Sequence, residues 1–149
     1  TDMTASNIER FDEITGLVLG KLYENFPVPI YLLVKNFVDD GYKMNEALGV
    51  ETITKDGEFL LASISWLASS GYLLYEERIH HQGFRGAVLT AKGLEVLKAM
   101  PASLQVGPSL GEKLVVASKG GTKEVLRGVV SEVLSMGARY ASVQLGLPT

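Results

Sequence analysis

The chain has 149 residues, 46% of them hydrophobic, and 14 basic against 17 acidic side chains give a net charge of −3. That length fits one ordinary domain plus an extension, and that apolar content excludes global disorder. The absence of cysteine excludes disulfides, thiolate metal sites and a cysteine nucleophile.

The charge is uneven. Residues 1–50 hold eight acids and four bases, whereas residues 101–149 hold three acids and five bases. No segment is basic enough to form the stripe that phosphate neutralisation and counterion release favour, so bulk charge argues against tight DNA binding outside a local patch. The N-terminal "TDMTASNIERFDEI" lacks the apolar run of a signal peptide. No stretch reaches the roughly 18 apolar residues of a membrane span. A cytoplasmic location and no membrane association are therefore expected.

In chain order, Ser6 and Glu9 have capping-box spacing at the start of a first helix. Ile8, Phe11, Ile14, Val18 and Leu22 make its apolar stripe, and Pro27 and Pro29 close it. "IYLLVKNFV" reads as a second, shorter helix, ended by Asp39, Asp40 and Gly41. "ALGVETITK" alternates weakly, leaving a short strand or a loop between residues 41 and 56. A further helix covers about 57–70, capped by Thr54 or Asp56 and ended by Gly71. "YLLYEERI", the turn-forming "HHQGFRG" and "AVLT" make a β-hairpin. Thr90 then caps a helix carrying Leu94, Leu97 and Met100 inward, ended by Pro101. "PASLQVGPSLG" has the composition of a linker, and "GEKLVVASKGG" either begins the last helix or forms a short one of its own. The last helix covers about 122–136, and "VQLGLPT" reads as a loose tail.

"AVLTAKGLEVLKAM" resembles the second wing strand and following helix of winged-helix transcription regulators of the multiple-antibiotic-resistance (MarR) and phenolic-acid-decarboxylase (PadR) regulator families. The matching residues are Leu89, Thr90, Lys92, Gly93 and Leu97, with Ile64, Leu67, Gly71 and Leu74 upstream in "ISWLASSGYLLYEE". The resemblance covers about residues 8–100. It implies a mainly α fold with a small β-hairpin: a winged helix-turn-helix domain over 1–100, a linker over 101–121, and a C-terminal amphipathic association helix with its tail over 122–149. It also implies DNA binding as a dimer, with the helix at 57–70 in the major groove and the wing on phosphates. Two departures stand out. The span from Val38 to Asp56 is longer than a helix-turn-helix turn. The reading helix "KDGEFLLASISWLASSG" offers Ser65 and Ser69 but only one lysine, Lys55, where base readout favours Arg, Lys, Asn and Gln.

On this reading the DNA-contacting residues are Lys55, Ser65, Ser69, Arg78, His80, His81, Arg85 and Lys92. Adjacent histidines also suggest a metal, but neighbouring strand residues point to opposite faces, so His80 and His81 are not expected to share an ion. Phe59 and Trp66 lie together on a second face of their helix. They are either an exposed partner site or, as favoured here, buried between the first helix and the 38–56 segment. Leu126, Val129, Val130 and Val133 give the last helix a stripe too broad to stand alone in water. It packs either on its own domain or on a second copy, and the resemblance favours a homodimer through this helix and the first. No cofactor, metal or catalytic constellation is expected. "SKGGTKE" lacks the spacing of a phosphate-binding loop. The runner-up function is a winged-helix scaffold that binds protein without DNA.

Overall fold

The structure, a computed structural model, describes residues 6–99 and 107–144. Its elements are α1 (Asn7–Asn25), β1 (Ile30–Leu33), α2 (Val34–Phe37), β2 (Tyr42–Asn45), β3 (Val50–Ile53), α3 (Lys55–Ser69), β4 (Leu73–Leu74), β5 (Glu77–Ile79), β6 (Gly83–Leu89), α4 (Ala91–Lys98), α5 (Leu110–Gly120) and α6 (Lys123–Gln144). The chain is thus mainly helical with small antiparallel sheets. The expected inward Met100, the whole of "PASLQV" with the helix-ending Pro101, and the end of the tail lie outside the described residues.

β6 is the spine of the larger sheet. It pairs with β1 on one side, Ile30 opposite Ala87 and Leu33 opposite Gly83. On the other side it pairs with β4, Leu73 opposite Leu89, and with β5, Glu77 opposite Arg85. The first half of the segment expected as a second helix is therefore a strand, Ile30–Leu33, and its second half forms one turn of helix, α2. Pairing with β6 satisfies its backbone while Leu32 is fully buried. The 38–56 segment holds a second antiparallel hairpin, β2–β3, with Tyr42 opposite Ile53 and Asn45 opposite Val50.

The passage from strand to helix at Thr90 rests on one hydroxyl. Thr90 Oγ1 accepts from the Gly93 N–H at 2.9 Å, capping α4, and donates to the Gly71 carbonyl at 2.5 Å. Gly71 holds φ at +87°, which lets α3 end and β4 begin without a Cβ clash. Lys92 reaches back to the Ser70 carbonyl at 2.8 Å, with its ammonium 4.4 Å from the centre of the Tyr72 ring. α3, β4, β6 and α4 are thereby tied together at one corner.

The last two helices pack on the first. In the stretch expected as linker, Ser109 and Glu112 form a complete capping box that starts α5, and Leu110 and Leu114 are fully buried. Gly16 of α1 faces α6 with nothing but hydrogen, and an added Cβ would lie 2.6 Å from Leu126 Cδ1 and 3.0 Å from Val130 Cγ2. Residues from Val18 to Val133 consequently belong to one continuous core. The uneven charge has its counterpart here. Arg127 pairs with Glu13 at 2.8 Å and Glu9 at 3.6 Å, Lys123 lies 3.9 Å from Glu13, and Lys119 pairs with Glu24. The acidic first helix is matched by the basic end of the same chain.

Candidate functional site

α3 turns Leu60, Leu61, Ile64 and Leu67 into the core. Its helical period leaves Glu58, Ala62, Trp66 and Ser69 exposed. Trp66 is 50% exposed and Ile8, at the start of α1, 70% exposed. Between these two helices runs a groove of about 390 Å³ lined by Ile8, Phe11, Phe59, Ala62, Ser63 and Trp66, with Asn7 at its end.

The walls of this groove are fixed by specific contacts. Phe11 meets Trp66 edge to face, ring centres 5.3 Å apart. Arg10 lies 4.3 Å from the centre of the Phe59 ring while pairing with Asp56 at 2.8 Å. Ser63 turns its hydroxyl to the Phe59 carbonyl at 2.8 Å, which satisfies it inside the helix and leaves the groove apolar. The favoured sequence reading, with both faces of α3 covered, does not hold. The first helix supplies one wall, but the 38–56 segment meets α3 at its first turn, where Ile53 packs on Gly57. Ile8, expected in the core stripe of α1, stands at the groove instead.

The residues assigned to DNA are only partly brought together. Arg78 donates to Ser65 Oγ at 3.3 Å, joining the hairpin to the outer face of α3, and Lys55 and Ser69 are exposed on the same helix. Arg85 is taken by Glu76 at 2.7 Å and Glu77 at 3.6 Å. Lys92 is turned inward to Ser70, as described above, so it is not presented as a free phosphate hook. His80 and His81 do not diverge as strand neighbours would. They occupy a turn in which His81 takes φ +57°, and their rings stack at 3.8 Å. That turn is tied to its neighbours at two points. Tyr42 Oη donates to the His81 carbonyl at 2.6 Å, and the Val34 N–H donates to the Gln82 carbonyl at 2.9 Å. Among the described residues no group of three or more His, Asp or Glu side chains is placed to hold a metal. No helix there is long and apolar enough to cross a membrane.

The four residues of α6 assigned to a partner are placed otherwise. Leu126, Val129, Val130 and Val133 are buried within the chain. Of the two alternatives for this broad stripe, packing on its own domain is the one observed, because Gly16 gives α6 a close seat on α1. The sequence places Ile8 and Phe11 in the core stripe of the first helix, not at a site, and gives no role to Arg10, which braces the groove wall at Phe59. Their only signal is that Phe11 and Trp66 become neighbours once α1 and α3 are packed together.

Comparison with known proteins gives no match: no family model fits the chain, and no significant similarity to a curated protein or a solved structure is found.

Proposed function

We propose that this chain is a winged-helix-type module that binds a protein segment, with the groove between α1 and α3 as its docking site. The order of elements from α1 to α4 supports the winged-helix reading, with the β5–β6 turn as the wing and the β2–β3 hairpin in place of the tight turn. The observation that carries the proposal is the half-exposed Trp66 flanking an apolar groove, on the face where a DNA-reading helix carries polar hooks. A trough between two helices suits an amphipathic helix with aliphatic or aromatic anchors. The exposed Glu58 on α3 favours a partner with a basic residue beside those anchors.

The test is selection of helical peptides from a random display library against the intact chain. Selected peptides should carry apolar anchors at helical spacing and lose binding to Ala62→Glu, which places a charge in the groove. Recovery of no binders, or of binders indifferent to Ala62→Glu, overturns the reading. A second reading, DNA binding by a dimer, is favoured by one observation: the Arg78–Ser65 contact, which joins wing and α3. It predicts duplex DNA affinity that falls steeply with salt, with a slope flattened by Arg78→Ala.

A further inference from the structure

One charge beside the docking groove has no counter-charge. Arg78 is exposed on β5 and forms no ion pair among the described residues. The register of the hairpin explains this. Opposite Arg78 on β6 stands Phe84, fully buried, so Arg78 leaves the hairpin on its inner face, whereas Glu77 stands opposite Arg85 on the other face. Arg85 takes both Glu77 and Glu76. Arg78 is turned to α3 instead, donating to Ser65 Oγ at 3.3 Å with its guanidinium 5.6 Å from the centre of the Phe84 ring.

That contact sets the guanidinium at the rim of the groove. Ser65 is one turn on from Ala62, which lines the groove, and adjacent to Trp66, which flanks it. Residues at this spacing are neighbours on a helix surface, about 5–6 Å apart between Cβ atoms. A helix seated between α1 and α3 is about 10 Å across with its side chains, so its flank passes over Ala62 within reach of Arg78. Glu58, the exposed acid of the same face of α3, stands two turns before Ser65, roughly 10 Å along the axis, too far to pair with Arg78. An arginine is charged at every working pH, and its forked N–H groups match the two oxygens of a carboxylate.

We propose that Arg78 is a specificity-determining residue of the groove, selecting helical segments that carry an aspartate or glutamate on the flank of their apolar anchors. This rests on the docking reading above and adds to it the charge that the partner presents on the side of β5.

The test is selection of helical peptides from a random display library on the intact chain, followed by binding to its Arg78 variants. Peptides selected on the parent should carry an acid at one fixed helical spacing from their anchors. They should bind Arg78→Ala about threefold and Arg78→Glu about tenfold more weakly, the size of one exposed ion pair and of its reversal. Changing that acid to lysine in the peptide should restore binding to Arg78→Glu, a gain that damage to the fold cannot mimic. Groove-dependent peptides, lost in Ala62→Glu, that carry no such acid or bind Arg78→Glu as they bind the parent overturn the proposal and leave the docking reading standing. Recovery of no groove-dependent peptide overturns both. Duplex DNA that loses affinity in Arg78→Glu while the peptides do not assigns the arginine to phosphate and overturns the proposal.

Discussion

Val130→Ala probes the packing of α6 on α1, the feature that distinguishes an intrachain helix from a dimer helix. Val130 is fully buried and stands against Gly16, with its Cγ2 3.0 Å from where a Cβ there would lie. The substitution removes two carbons, about 1.6 kcal/mol of transfer free energy at about 0.8 per methylene, and leaves a cavity that the glycine cannot fill. The total is about 2–3 kcal/mol. For a chain of 149 residues this lowers Tm by about 5–10 °C. Thermal unfolding followed by circular dichroism, at two protein concentrations about a hundredfold apart, reads both the size and the origin of the loss. A loss that is the same at both concentrations fits burial within one chain. A loss below about 0.5 kcal/mol, or one that grows on dilution, refutes the intrachain packing argument.

Thr90→Ala removes both the α4 cap and the bond to the Gly71 carbonyl; it should cost about 2 kcal/mol in urea unfolding, with Thr90→Ser recovering most of it. Burial holds the Asp12 carboxyl above its ordinary value of 3.8, although Arg127 opposes the shift and Glu9 adds to it. A carboxyl raised in the folded state contributes stability below its unfolded value and loses it as pH rises through the folded value. Asp12→Asn should therefore be more stable than the parent near neutral pH, and stability curves against pH should converge below 3.8. Arg127→Ala leaves Glu13 without its closest cation and should cost about 1 kcal/mol, less at high salt. Ala62→Glu, on an exposed position, should change unfolding free energy by no more than about 0.5 kcal/mol, so any loss of peptide binding is assigned to the groove.

Local chemistry made much of the helical framework legible. Ser6, Thr54 and Thr90 each accept a backbone N–H three residues on, as their positions imply. The hairpin after Gly71 follows from its β-branched and aromatic residues and its turn. What eluded the sequence depends on distant partners. "IYLL" is a strand because Gly83–Ala87 lies beside it, and no residue near it announces that. α5 was legible in part, since Ser109 and Glu112 have capping-box spacing, but the surrounding Pro, Gly and Ser concealed it. The stripe of α6 is equally apolar whichever surface buries it; Gly16 and the acids of α1 decide the matter only once the helices are packed. The loss of Arg85 as a free cation follows from the register that sets Glu77 opposite it and brings the neighbouring Glu76 to 2.7 Å, which an alternating strand pattern alone does not specify.

The docking groove is tested most directly by the emission of Trp66, the chain's single tryptophan. A library-selected helical peptide should shift that emission to shorter wavelength as the half-exposed ring is covered. Its affinity should be nearly the same at low and high salt. The contradicting result is an emission that no selected peptide moves, together with duplex DNA that binds, weakens steeply with salt and loses affinity in Arg78→Ala.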